Sequence, residues 1–242
     1  MPEFDALFWI MAGFAAMAGL MRGFAGFGSA MVLSPLLAHF YSPAAAVLAI
    51  AVMEVAVSVQ LVPKALADVQ WRFVGPVTLA ALVGMPLGVW ALVAVDPAVI
   101  AKFVAGVVLV FVLVLASGWR YRGPKRLPVT LGVGAASGAL LTSTSVGGPP
   151  VLIYMMAGDD PARRVRANII VYFAILEAIT PFALWLGGAF ITEYAVLGAL
   201  LCPPYLAGAW LGGRLFRQSS ERLYRRVAMV FLSAIALYGL LG

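Results

Sequence analysis

Two short stretches of this chain place glycine and polar side chains inside otherwise apolar sequence. The first, residues 22–29, reads Arg-Gly-Phe-Ala-Gly-Phe-Gly-Ser, and the second, residues 142–150, reads Thr-Ser-Thr-Ser-Val-Gly-Gly-Pro-Pro. Glycine and proline at such points free backbone N–H and C=O groups that lipid cannot satisfy. We therefore expect each stretch to interrupt a helix and a half-helix to begin after it, near Ser29 and near Pro149 and Pro150.

The free N–H groups at the start of a helix attract anions, and two such tips would hold one small anion between them. The hydroxyls of the second stretch add hydrogen-bond donors, and Arg22 is the only basic residue near either tip. An alternative is that the small residues permit close helix packing while Arg22 reaches a lipid headgroup. The candidate substrate-binding residues are Arg22, Gly23, Gly26, Gly28, Ser29, Thr142, Ser143, Thr144, Ser145, Gly147, Gly148 and Asn168.

Asn168 differs from the other candidates because it lies outside both stretches, just after three arginines. Its amide would reach a neighbouring tip. A helix cap or a hydrogen bond between helices explains it equally well.

Two carboxyl groups, Glu54 and Glu177, lie within apolar segments. A charged carboxylate at the centre of a bilayer costs about 2.5 to 3.5 kcal/mol, so each is expected to be protonated, paired or in contact with water. We predict that at least one of them couples transport to a proton or another cation. The alternative is a neutral carboxyl that ties helices together.

Enzyme and cofactor chemistry find no support in the sequence. His39 is the only histidine and Cys202 the only cysteine, so no disulfide, zinc-ligand cluster or Ser/His/Asp arrangement can be assembled. There is no nucleotide-binding Walker loop. We therefore expect no enzyme activity, no metal and no cofactor.

The elements that must position these residues are membrane helices. The chain is 64% hydrophobic and 11% charged, which excludes a water-soluble surface. We expect an all-α polytopic membrane protein in which residues 1–242 form a single transmembrane domain. The apolar blocks lie at about 4–39, 43–63, 73–95, 97–119, 127–157, 167–187, 190–213 and 227–241.

The first and fifth blocks exceed one span, and both contain an interruption, so each is expected to be a hairpin, with a pair of full spans as the alternative. The basic residues other than Arg22 and Lys102 fall in four connections, around 64–72, 120–126, 163–166 and 214–226. Those connections should be cytoplasmic and both termini external. Their confinement to connections also argues against nucleic acid binding.

The two halves of the chain resemble each other, which predicts one repeat at about 1–120 and another at about 121–242. Each repeat would have an interrupted first block followed by three transmembrane helices. Equivalent connections fall on opposite sides, as in an inverted repeat, and such repeats operate by alternating access around a midplane site. The matching positions are Gly19 with Gly138, Gly28 with Gly147, Glu54 with Glu177, Gly84 with Gly208, and Gly88 with Gly212. The last two pairs also predict close helix packing.

The glycine-rich segments 19–33 and 138–152 resemble those of the TauE/SafE family of bacterial permeases, the sulfite exporters. The resemblance covers essentially the whole chain. It implies a multi-pass protein of the bacterial inner membrane and secondary transport of sulfite, sulfoacetate or related organosulfonates. A compact sulfite or sulfonate head accepts several hydrogen bonds at once, which fits the two tips.

Three functions compete at this stage: a secondary anion transporter, a passive anion channel on the same scaffold, and a membrane enzyme or assembly factor. The two intramembrane carboxyl groups favour coupled transport over a pore. The expected partners are a small anion and the lipid bilayer. The direction of transport, the coupling ion and the choice between a monomer and a homo-oligomer stay open.

Overall fold

The computed structural model describes residues 5–117, 123, 126–155 and 160–218. The segment 227–241, expected to be the last apolar block, lies outside the described residues. The described part is helical and has no strands, which confirms the all-α fold class. Its helices are α1 (Ala6–Ala25), α2 (Ser29–Phe40), α3 (Pro43–Ala65), α4 (Trp71–Ala94), α5 (Pro97–Ala116), α6 (Leu127–Thr144), α7 (Gly148–Met155), α8 (Ala162–Leu186) and α9 (Thr192–Gln218).

Six of these helices, α1, α3, α4, α6, α8 and α9, are long and apolar enough to cross a membrane. The two interruptions divide the first and fifth blocks where the glycines predict, after α1 and after α6. Helix α2 has 12 residues, and α7 has 8 as far as the last described residue before 156. At 1.5 Å per residue α2 extends about 18 Å, too short for a hydrocarbon core of about 30 Å.

Glycines hold two pairs of helices in backbone contact. A Cβ atom on Gly19 of α1 would lie 2.0 Å from the carbonyl oxygen of Tyr205 in α9, and one on Gly84 of α4 would lie 2.0 Å from that of Ala135 in α6. Any side chain at these positions would force the helices apart. The predicted packing role is confirmed for Gly84, Gly88, Gly208 and Gly212, which all face a backbone carbonyl of the neighbouring helix.

The first interruption turns the chain back on itself. Gly19 and Gly23 of α1 meet Tyr205 and Ala209 of α9 in the same order, so these two helices are parallel. Helix α3 is also parallel to α9, because Gly198 packs on Ala49 while the Tyr205 hydroxyl reaches Glu54 further along both helices. Since α1 and α3 run the same way, the segment between them must reverse.

The second interruption reverses the chain in the same manner. Helix α8 is parallel to α4, with Asn168 bonded to Gln70 at one end and Gly187 against Val89 at the other. Helix α6 is parallel to α4 through its glycine contacts. The segment between α6 and α8 therefore also reverses the direction of the chain.

The two sets of helices run in opposite directions. Near one end, Asp68 after α3 pairs with Arg163 of α8, and near the other, Leu48 of α3 packs in one cluster with Leu184 of α8. Helices α1, α3 and α9 are thus antiparallel to α4, α6 and α8. An inverted repeat requires this arrangement, and the repeat relationship itself stays a prediction.

Candidate anion-binding site

Both interruptions open onto one cavity inside the helix bundle. Its volume is about 30 Å³. Since one water needs about 10 to 15 Å³, the cavity has room for about two waters or a small polar group. Its polar lining is supplied by Arg22, Ser29, Glu54, Ser145 and Glu177, and its apolar lining includes Phe27, Met31, Val146, Pro149 and Phe173.

Left-handed backbone shapes the first tip. Gly26 ends α1 with φ of 83°, and Gly28 precedes α2 with φ of 97°. Residues with a side chain rarely adopt these angles, which explains the need for glycine at both positions. The Arg22 Nη1 atom donates a hydrogen bond to the carbonyl of Gly26 and so ties the tip to the last turn of α1.

Hydroxyl groups hold the second tip in place. Ser145 ends α6 with φ of 62°, although it is not glycine. The Val146 N–H donates to the Thr144 hydroxyl over 3.1 Å. Behind the tip, the Tyr172 hydroxyl donates to the Ser137 oxygen over 2.7 Å, and Ser137 donates to the carbonyl of Gly147. Tyr172 of α8 thereby fixes the position of the turn.

The first residues of α2 and α7 face the cavity from different tips. Ser29 begins α2 and Gly148 begins α7, and both line the cavity. Prolines at 149 and 150 have no N–H, so Gly148 supplies the first backbone donor of α7. Two helix N-termini, those of α2 and α7, therefore direct their partial positive charge into the cavity.

An ion pair between Arg22 and Glu54 forms one wall of the cavity. The Arg22 Nε atom lies 2.6 Å from Oε2 of Glu54, and the two side chains are only 2% and 4% exposed. The other carboxylate oxygen, Oε1, accepts hydrogen bonds from the hydroxyls of Ser29 and Tyr205. The guanidinium carbon of Arg22 also lies 5.3 Å from the centre of the Phe173 ring, a cation–π distance.

Two buried donors at the cavity are unused. Arg22 Nη2 and Ser145 Oγ have no hydrogen-bond partner within the described part of the chain. Buried polar groups normally have partners, and an unmet donor costs about 1 to 3 kcal/mol, more when it is charged. A bound oxyanion would accept hydrogen bonds from these two atoms.

Glu177 lies in the cavity without a partner of its own. The residue is 4% exposed and lines the cavity. Among the residues that the structure describes, none forms an ion pair or hydrogen bond with its carboxyl group. Glu54 and Glu177 therefore share one cavity but differ in their contacts.

The hydroxyls of the second stretch are mostly occupied. Thr142 donates to the carbonyl of Met85 over 2.8 Å, Ser143 to that of Ala139 over 2.8 Å, and Thr144 to that of Leu140 over 2.6 Å. A hydroxyl has a single proton to donate, so these three are not free to donate to an anion. Within the residues that the structure describes, Ser145 is the one of the four whose hydroxyl proton has no acceptor.

Four other predicted residues, Gly23, Gly26, Gly147 and Asn168, do not line the cavity. A Cβ on Gly23 would meet the carbonyl oxygen of Ala209 at 1.9 Å, and one on Gly147 would meet that of Ser137 at 2.5 Å, so both pack against backbone. Asn168 accepts a hydrogen bond from the Gln70 N–H over 2.8 Å. The structure brings Arg22, Gly28, Ser29, Ser145 and Gly148 together with Glu54 and Glu177. Their binding and coupling roles stay predictions.

Sequence reasoning missed Tyr205, Phe173 and Arg166. Arg166 caps the end of α1 with two hydrogen bonds. Its Nε donates to the carbonyl of Phe24 over 3.1 Å, and its Nη2 donates to the carbonyl of Gly23 over 2.5 Å. The sequence groups Arg166 with the arginines expected to be cytoplasmic, which hides this capping role. Tyr205 carried one signal, a hydroxyl in mid-helix directly after two prolines.

The fold and the cavity define a class: a multi-pass membrane protein with paired interrupted helices around a buried polar site. The family model for Sulfite exporter TauE/SafE matches residues 11–239, nearly the whole chain. The protein belongs to this family, which is a family of membrane transporters. No match was found among curated proteins or among solved structures.

Proposed function

We propose that the protein is a secondary transporter of small sulfur-containing oxyanions, namely sulfite, sulfoacetate or related organosulfonates. It operates by alternating access in the bacterial inner membrane, with both termini external and transport coupled to protons. The observation that carries the proposal is the cavity between the tips, where Arg22 Nη2 and Ser145 Oγ are buried and have no hydrogen-bond partner in the described part of the chain.

The donors around the cavity suit an oxyanion better than a cation or an apolar molecule. A sulfite or sulfonate group has three oxygens that accept hydrogen bonds. The guanidinium of Arg22 supplies charge, Ser145 supplies a hydroxyl, and the first turns of α2 and α7 supply backbone N–H groups. Because the cavity is small, we expect the compact head of the substrate to bind there first.

Alternating access is supported by the way the tips are held. The hydroxyl of Ser34 in α2 donates to the carbonyl of Thr144, so the first half-helix is bonded to the end of α6 in the other half of the chain. Helices α3 and α8, which belong to opposite sets, both line the cavity, through Glu54 and through Phe173 and Glu177. A rocking of one set against the other would open the cavity to one side at a time.

Transport in proteoliposomes tests the proposal. Purified protein should move labelled sulfite and sulfoacetate, and an imposed pH gradient should drive accumulation above equilibrium. A passive channel would equilibrate the anion without accumulation. Flux equal to that of protein-free liposomes for sulfite and the sulfonates would contradict the proposed function.

A further inference from the structure

We infer that Glu177 carries the proton that accompanies the substrate, so that the cavity binds a singly charged oxyanion together with one proton. The inference rests on the proposed function and deepens it. It assigns the proton to one of the two buried carboxyl groups, and it makes the proton and the anion bind together rather than exchange for each other.

Glu54 is committed to other groups. Its Oε2 pairs with Arg22 Nε at 2.6 Å, and its Oε1 accepts from the hydroxyls of Ser29 and Tyr205. These contacts join Glu54 to α1, α2 and α9. A proton on Oε2 would take the place of the Arg22 guanidinium there, so Glu54 is a poor carrier for a proton that must come and go.

Among the described residues Glu177 has no such contacts, and it shares the cavity with the proposed site of the anion. It lies close enough to interact electrostatically with Arg22 and with Glu54. Among the described residues, the other titratable groups nearby are Tyr205 of α9, which bonds to Glu54, and Tyr172 of α8, which lies behind the second tip. Within the described residues, α2, α4 and α6 place no charged side chain there, since His39 lies at the far end of α2 and Arg72 at the start of α4.

The charges in the cavity then determine what can bind. Arg22 and Glu54 neutralise each other, so a charged Glu177 would leave the empty site negative. An arriving anion would be repelled at short range in surroundings that screen charge poorly. Protonation of Glu177 removes this repulsion. It also converts the carboxyl group from an acceptor into a donor, which can bond an oxygen of the anion.

Calorimetry with methanesulfonate tests the inference, because a sulfonate keeps a single charge over the whole working pH range, unlike sulfite. Binding to purified protein in two buffers of different ionisation enthalpy counts the protons taken up. In the pH range where Glu177 loses its proton, we expect uptake of about one proton per anion and an affinity that falls up to about tenfold per pH unit.

The variant Glu177→Gln should bind methanesulfonate without proton uptake and with an affinity that does not change with pH. The matched control is Glu193→Gln, the same substitution at an exposed residue at the start of α9, which should retain proton uptake.

Three results would overturn the inference: proton-independent binding by the parent, proton uptake retained in Glu177→Gln, or binding of sulfite but not of methanesulfonate at low pH. All three leave the proposed transport of oxyanions standing, since an oxyanion still binds. Failure of both anions to bind at any pH would overturn the proposed function as well.

Discussion

Arg22 of α1 and Glu54 of α3 are joined through Nε and Oε2, 2.6 Å apart, at a place where neither side chain reaches solvent. The pair connects the last turn of α1, just before the first tip, to the middle of the next spanning helix. Burying two charges costs most of what their attraction returns, so the pair adds little net stability. Its effect is to place Arg22 beside the cavity with one nitrogen free.

Breaking this pair on one side should be more damaging than removing both charges. We expect Glu54→Gln and Arg22→Gln each to destabilise the protein by about 3 to 5 kcal/mol, because each leaves a buried charge unpaired. The double variant should be more stable than the sum of the two losses predicts, with a coupling energy of about 1 to 3 kcal/mol. Thermal unfolding in detergent measures this, and additive losses would show that the two charges are independent.

Hydroxyl substitutions at the second tip should separate binding from packing. Ser145→Ala removes the one available donor and should weaken oxyanion binding about threefold to tenfold, equivalent to about 0.5 to 1.5 kcal/mol. Ser143→Ala is the matched control, because its hydroxyl is engaged with the carbonyl of Ala139. Calorimetry with sulfite compares the two. Equal losses, or none in Ser145→Ala, would place the anion elsewhere.

The glycine contact between α1 and α9 predicts a sharp difference between two alanine substitutions in one helix. Gly19→Ala would put Cβ 2.0 Å from the carbonyl oxygen of Tyr205, whereas Gly13→Ala meets nothing within 4 Å. We expect the first to destabilise by about 1 to 3 kcal/mol through overpacking. The second should be neutral or stabilising by up to about 1 kcal/mol, because alanine favours helix. Similar unfolding temperatures for the two variants would contradict the close contact between Gly19 and Tyr205.

The orientation of the chain is tested by single cysteines in a background where Cys202 is alanine. Cysteines at Ser42, Asp96 and Glu193 should react with an impermeant thiol reagent from outside, and one at Ala67, between α3 and α4, should react only after permeabilisation. The expectation follows from the basic residues near that connection, Lys64 and Arg72. If Ala67→Cys were the only variant labelled in intact cells, the orientation would be the opposite of the expected one.

Much of this architecture could be predicted from the sequence because its causes are local. Apolar length predicts the spanning helices, and the glycines at 26 and 28 predict where the first block breaks. Arg22, Ser29 and Ser145 were placed at the tips for the same reason, and the structure brings them to one cavity.

The rest depends on contacts between distant parts of the chain. Tyr205 is 151 positions from Glu54, and no spacing rule connects them. The hydroxyls of Ser143 and Thr144 were expected to face a ligand, but inside a helix they bond to carbonyls of their own preceding turn. Asn168 finds Gln70 at the start of α4 instead of a tip. The sequence indicates which polar residues are buried, but it does not indicate which partner each of them contacts.

The central claim is that the cavity between the tips binds the transported oxyanion, and the flux of labelled sulfite into proteoliposomes containing the parent protein or Arg22→Gln tests it most directly. The parent should accumulate sulfite when a pH gradient is imposed. Arg22→Gln, reconstituted to the same level as folded protein, should lose most of that flux, because the cavity then lacks its only positive side chain among the described residues. Transport by Arg22→Gln at the rate of the parent would contradict the account.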